Sequence, residues 1–166
     1  MSYKRVKGLV QDMMNRIENI IGHNKPFFVI NNPQIILTRS ESECIRSINA
    51  LKIHCENTGD GHICFEGDIL FTKLHMCIKL HFKNEKLENI ELFRPKKYLE
   101  SENYDINKSF AEIHNAIEMI YGKPSFKSTK ASSGFPLERW YAENLIIEHY
   151  ITECSGFDEH FNVRFA

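Results

Sequence analysis

The chain lacks long apolar runs. Its 166 residues are 42% hydrophobic and 26% charged, which is ordinary globular usage. No segment approaches the roughly 20 consecutive apolar residues that cross a bilayer. The basic N-terminus is followed by polar residues such as Gln11, Asp12 and Asn15, where a secretory leader has its apolar core. We therefore expect one soluble, cytoplasmic domain over residues 1–166 that does not engage a membrane.

Motifs of the common enzyme classes are also missing. No segment matches a GxSxG nucleophile elbow, a GxxxxGK[ST] phosphate loop, a GxGxxG after a strand or an HExxH helix. Glu148 with His149, or the run Asp158-Glu159-His160, could supply acid–base groups, but adjacent residues of a strand face opposite sides. We expect no enzymatic activity and no cofactor.

An excess of positive charge is absent as well. The formal net charge is −1, which excludes a globally basic nucleic-acid-binding protein. One short stretch combines basic and aromatic residues, at 93–98, and a solvated loop explains it equally well. We expect no direct contact with nucleic acid.

The sequence also lacks the cysteine pattern of a disulfide-bonded protein. The five cysteines are odd in number and none is spaced as CxxC, so reduced thiols are expected. Alternate residues of a strand share a face, and neighbouring strands lie about 5 Å apart. Histidines and cysteines on two predicted strands could therefore converge on one metal ion, in an alternative site made of His62, Cys64, His75, Cys77 and His81.

What the chain does contain is a clear pattern of helices and strands. Apolar residues recur at helical spacing over 3–21 and again over 105–121, where Gly122 and Pro124 end the second helix. Residues 26–30 and 34–38 predict a hairpin around Asn31, Asn32 and Pro33. Residues 63–71, 74–83 and 87–94 predict a three-stranded meander, and residues 137–142, 145–151 and 160–165 predict three more strands.

Two segments carry weaker signals. Residues 40–43 have the spacing of a capping box, which predicts a short helix, but residues 52–56 alternate like a strand. Helix and strand both stay open for residues 41–56. Residues 127–134 are rich in serine and lysine and predict a loop. Together the elements predict an α+β fold in which an N-terminal and a central helix pack on an antiparallel sheet of about six to eight strands.

The C-terminal strands combine aromatic and acidic residues. Residues 137–166 hold six carboxylates against two arginines. Aromatic side chains provide anchoring area in protein interfaces, and carboxylates steer and pair with a basic partner. The pattern favours a partner-binding surface made of Glu138, Trp140, Tyr141, Glu143, Glu148, Tyr150, Glu153, Asp158 and Glu159. The alternative interpretation places Trp140 and Phe157 in the core and leaves the acids as a solvated outer face.

A family resemblance supports the first interpretation. The stretch from Leu87 through the helix end at Tyr121-Gly122-Lys123-Pro124, then Trp140 and the closing residues 158–165, resembles small α+β immunity proteins of bacterial polymorphic toxin systems, including contact-dependent growth inhibition. The resemblance implies a non-enzymatic cytoplasmic inhibitor that binds a cognate toxin domain and occludes its active site. Many such toxins are nucleases with basic clefts, which an acidic patch can occupy.

Two alternatives from other classes remain. The first is a small intracellular enzyme or metal-binding protein that uses the histidine and cysteine face of the meander. The second is a homo-oligomer formed through an exposed sheet edge.

Overall fold

The computed structural model describes residues 8, 11–16, 27–32, 34–57, 62–70, 73–95, 99–100, 104–129, 136–142, 144–153 and 157–166. Within this part of the chain, ten strands form one antiparallel sheet. They are β1 (Phe27–Asn32), β2 (Gln34–Thr38), β3 (Glu56–Asn57), β4 (His62–Ile69), β5 (Leu74–Lys83), β6 (Lys86–Phe93), β7 (Phe126–Thr129), β8 (Pro136–Ala142), β9 (Leu145–Glu153) and β10 (Phe157–Phe165). The α+β prediction is confirmed, but the sheet has more strands than the six to eight expected.

Three helices have more than two described residues. Helix α1 covers residues 11–16, α2 is Glu41–Ala50 and α3 is Ile106–Tyr121. The other residues of the predicted helix over 3–21, apart from helical Gly8, lie outside the described part of the chain. None of the described helices is both long and apolar enough to span a membrane.

The strand order is β2-β1-β4-β5-β6-β10-β9-β8-β7, with the short β3 beside β4. The predicted hairpin is confirmed, since Asn31 pairs with Gln34 at the β1–β2 turn, and so is the β4–β5–β6 meander. The C-terminal strands join this meander through β6 and β10, where Phe161 pairs with Leu92 and Val163 with Ile90. This pairing unites distant parts of the chain in one sheet.

Local signals explain where the helices begin and end. The Ser40 hydroxyl accepts a hydrogen bond from the Glu43 amide at 3.4 Å, which caps α2. The Glu43 carboxylate bonds Thr38 Oγ1 at 2.7 Å. Residues 41–50 therefore form the helix that the sequence left open, whereas the strand alternative over residues 52–56 is present only at Glu56, the first residue of the two-residue β3. For α3, the Asp105 side chain caps the first turn and Gly122 ends the helix at φ 79°.

One sequence prediction is wrong. Residues 126–129, most of which were expected in a loop, form β7 and pair with β8, with Phe126 opposite Arg139 and Ser128 opposite Leu137. Polar residues such as Lys127 and Ser128 give no apolar alternation, and an edge strand needs none because backbone hydrogen bonds to one neighbour hold it. The rest of the predicted loop, residues 130–134, is not described.

The two faces of the sheet differ. The inner face carries the main core, in which apolar residues of the strands pack under Cys44 and Ile48 of α2 and under Ile113 and Ile117 of α3. Each such side chain contributes about 1.5–3 kcal/mol through burial. On the other, outer face, Met13 and Met14 of α1 pack against Val29 and Ile36 of the hairpin. The helices thus lie on both sides of the N-terminal hairpin.

Candidate functional site

The nine residues of the predicted partner surface do not share one face. Along β8 and β10, Glu138, Trp140 and Glu159 point to the inner face, where they are buried or nearly so. Trp140 is only 1% exposed, and its indole donates a 2.9 Å hydrogen bond to the Gly122 carbonyl at the end of α3. These three residues are therefore inaccessible to a partner of the folded chain, and the core interpretation of Trp140 is confirmed.

The remaining residues of that set divide further. Tyr141, Glu148 and Tyr150 lie on the outer face, since each alternates with inner residues of its strand. Glu153 and Asp158 are exposed near the β9–β10 turn. Glu143 is not among the described residues. The outer face, not the whole acidic segment, is the part that a partner could contact.

Glu148 is the centre of the charges on this face. Its carboxylate lies 2.5 Å from Arg139 Nη2 and 2.5 Å from Arg164 Nη2, and Arg139 Nε donates to it at 2.8 Å. Because one glutamate is paired with two arginines, this group of side chains has no net negative charge. The surface therefore presents mixed charge, in contrast to the uniformly acidic face that the segment composition suggested.

Aromatic rings surround these ion pairs. The Tyr150 and His160 rings stack with centroids 4.9 Å apart, and Thr152 Oγ1 lies 2.9 Å from His160 Nε2. Tyr141 is 57% exposed and Phe126 is 45% exposed, and the Arg139 guanidinium lies 5.9 Å from the Phe126 ring centre. We call Phe126, Arg139, Tyr141, Glu148, Tyr150, His160 and Arg164 the outer aromatic surface.

The inner acids belong to a buried polar network that sequence reasoning missed. The Ser109 hydroxyl donates to Glu159 at 2.5 Å, and Arg94 Nε donates to Ser109 at 2.9 Å. Glu159 also lies 2.8 Å from His149 Nε2. Arg94 belongs to the basic stretch that was considered for nucleic acid, but here it is 9% exposed and bound under α3.

Glu138 makes a second set of contacts between α3 and the sheet. Its carboxylate contacts His114 Nδ1 and lies 2.7 Å from Lys127 Nζ. His114 Nε2 lies 2.8 Å from Glu118 one turn further along α3. The network therefore fastens α3 to the inner face with charged hydrogen bonds.

His149 is the most enclosed member of this network. It is 0% exposed, Phe110 stacks on it with ring centres 3.9 Å apart, and its Nδ1 has no hydrogen-bond partner among the described residues. Burial lowers the pKa of His149, while the hydrogen bond and charge of Glu159 act in the opposite direction. The apolar alternation over residues 145–151 could have placed His149 on the core side of β9.

The network is not arranged for nucleophilic catalysis. A serine nucleophile transfers its proton to a histidine imidazole, whereas the Ser109 hydroxyl donates its hydrogen bond to the Glu159 carboxylate. As expected, Glu148 and His149 face opposite sides of β9. The contacts suit a structural link between α3 and the sheet.

The residues of the alternative metal site do share the outer face of β4 and β5, but they form separate groups. The His62 and His81 rings lie 4.3 Å apart. Burial lowers the pKa of His81, and His62 and Lys79 act in the same direction, while Glu91 at 3.2 Å opposes them. His75 lies toward the other end, 2.9 Å from both Glu66 and Asp68.

Cys64 and Cys77 form the third group, and both line one pocket of about 390 Å³. Among the residues that the structure describes, no three His, Cys, Asp or Glu side chains are placed to hold a metal ion together. The five predicted ligands thus do not converge on one point.

Comparison with known proteins adds no relative. No family model matches the chain, and searches of curated proteins and of solved structures found no significant match.

Proposed function

We propose that the chain is a non-enzymatic, cytoplasmic inhibitor that binds a cognate protein toxin domain, as immunity proteins of bacterial toxin systems do. The observation that carries this proposal is the outer aromatic surface, where exposed rings and ordered arginine–glutamate pairs stand on four adjacent strands, β7 to β10. The described helices pack elsewhere, α2 and α3 on the inner face and α1 on the β1–β2 hairpin.

The physical properties of this surface suit a protein partner. Tyrosine and arginine are enriched among the residues that contribute most to protein interfaces. The side chains here are held by strands and by ion pairs of 2.5 Å, so less conformational entropy is lost on binding. An open strand face binds a protein more readily than a small ligand, which needs a concave pocket.

Mixed charge also shapes the expected partner. Arg139 and Arg164 are paired with Glu148, so the surface offers hydrogen-bonding groups of both signs. The exposed Glu153 and Asp158 stand near one end of it and would steer a basic partner during approach. We therefore expect a toxin surface that is basic near this end and aromatic or mixed elsewhere.

Co-purification with the polypeptide encoded immediately upstream tests the function. The expected result is a stable one-to-one complex, together with survival of cells that express the upstream polypeptide. If no complex forms and the cells do not survive, the inhibitor proposal as a whole is refuted.

Substitutions on the outer aromatic surface test whether the toxin binds there. Tyr141→Ala and Tyr150→Ala should each weaken binding by about 2 kcal/mol, roughly 30-fold, because interface tyrosines often contribute that much. Titration calorimetry of the complex measures the loss. Leu51→Ala is the matched control, since Leu51 is a large exposed residue (46%) beyond α2, and it should bind like the unsubstituted chain. Full affinity of both tyrosine variants would place the interface elsewhere.

A further inference from the structure

The pocket above β4 and β5 is distinct from the outer aromatic surface. It measures about 390 Å³ and is lined by His54, Cys64, Phe65, Glu66 and Cys77. Two thiols, one imidazole and one carboxylate thus border the same small space. The proposed binding function uses none of them.

Strand register fixes how the two thiols are related. Cys64 pairs with Lys79 and Cys77 pairs with Glu66 in the β4–β5 ladder. The two cysteines are therefore diagonal neighbours on one face, and the Cys77 sulfur lies 3.9 Å from the Glu66 carboxylate. Diagonal neighbours of a sheet are separated by roughly 7 Å.

This spacing distinguishes between two reactions of a thiol pair. A disulfide requires Cβ atoms about 3.8 Å apart, which diagonal positions do not provide. Two sulfurs bound to one ion, each at about 2.3 Å, can stand roughly 4.6 Å apart. We expect rotamer changes of the two cysteines to bring their sulfurs to that distance.

The number of available ligands selects the kind of ion. Zinc(II) in structural sites takes four ligands in a tetrahedron, and no three such side chains of the described residues are placed for one ion. Glu66 is already bonded to His75 at 2.9 Å. A pair of thiolates matches the preference of soft ions such as Cu(I) for sulfur.

We propose that Cys64 and Cys77 bind a soft monovalent cation of the Cu(I) class between them. Two S–H bonds break and two sulfur–metal bonds form, the two protons pass to solvent, and the oxidation state of the metal is unchanged. The complex carries one negative charge, and the half-buried Lys79 beside Cys64 supplies a nearby positive charge.

Anaerobic titration with Cu(I), supplied by a chromogenic chelator of known affinity, tests the site in the reduced full-length chain. We expect one equivalent of Cu(I) per chain. Cys64→Ser and Cys77→Ser should each weaken Cu(I) binding more than about 100-fold. Loss of a residue that only hydrogen-bonds to a metal ligand already lowers metal affinity roughly 10–100-fold, and loss of the ligand itself should cost more. Cys44→Ser is the matched control, since the Cys44 thiol is buried on the inner face and donates to the Thr38 carbonyl at 3.2 Å, and it should retain wild-type affinity.

Thiol alkylation followed by mass spectrometry gives a second measurement that needs no variant. Bound Cu(I) should protect Cys64 and Cys77 from iodoacetamide, relative to the metal-free chain. Failure to take Cu(I) from the chelator, equal losses in all three serine variants, or equal alkylation of Cys64 and Cys77 with and without Cu(I) would each overturn the proposal. None of these outcomes bears on toxin binding.

Discussion

At the scale of single residues, burial decides the chemistry of this chain more than residue type does. Glu138 and Glu159 look like surface acids in the sequence, but in the fold they accept hydrogen bonds from His114, Ser109 and His149. A carboxylate buried with such donors is stabilised, whereas an unpaired one would be costly. Segment composition therefore overstated the acidity of the C-terminal surface.

His149 leads to a prediction about pH. Its pKa is lowered in the folded state, so the unfolded chain binds a proton more readily once the pH drops through the ordinary value of about 6.5. The free energy of unfolding should then fall with decreasing pH, by at most about 1.4 kcal/mol per unit from this residue. Above that value its contribution is constant.

Urea unfolding at pH 7.5 and 5.5 measures this effect. His149→Gln keeps a donor for Glu159 but cannot titrate, so the variant should lose less stability on acidification than the unsubstituted chain. His160→Gln, a change in a half-exposed histidine of the outer face, is the control and should keep the original dependence. If His149→Gln leaves the pH dependence of the free energy of unfolding unchanged, that dependence arises from other groups.

At the scale of elements, caps and alternation determine most boundaries. The ends of α3 were predictable because Asp105 accepts from two backbone amides and Gly122 takes a positive φ. The ten alternating residues of β5 likewise predicted a half-buried strand, which the burial pattern confirms. Strand β7 was not predicted because its own residues carry no strand pattern, and its conformation depends on backbone pairing with β8.

Gly122 offers a test of the α3 end. Its φ of 79° and ψ of −164° fall in a region that is essentially restricted to glycine. Gly122→Ala should destabilise the chain by about 1–3 kcal/mol through backbone strain alone, because no atom of the described residues lies within 4 Å of the added Cβ. Thermal unfolding measures the loss.

Gly8→Ala is the control for that experiment. Gly8 is helical and its added Cβ also meets open space, so the change should be neutral or stabilising by up to about 1 kcal/mol. Equal effects of the two substitutions would contradict the strain argument.

At the scale of the whole molecule, the β6–β10 pairing holds the two parts of the sheet together. Phe161 lies at this junction, 0% exposed, paired with Leu92 and with its ring 6.3 Å from that of Phe28. The aromatic ring therefore links β10 to the N-terminal hairpin as well as to the meander.

Phe161→Ala should cost about 3–5 kcal/mol, because a cavity would open in the core. That is a large part of the 5–15 kcal/mol typical of a folded domain. Chemical unfolding followed by circular dichroism and tryptophan fluorescence should show one shared transition at lower denaturant. Phe93→Ala, at a 36% exposed position, should cost less than about 1 kcal/mol; equal costs would place Phe161 outside the cooperative core.

The sequence by itself determined the elements whose signals are local. Apolar period, the caps at Asp105 and Gly122 and the turn at Asn31 act between residues a few positions apart, so the helices, the hairpin and the meander were predictable. Only the tertiary structure decided which face α3 covers, because the choice depends on β10 pairing with β6 across a long stretch of chain. That choice buried Trp140, Glu138 and Glu159 and left Tyr141 and Tyr150 outside, since alternate residues of a strand face opposite sides.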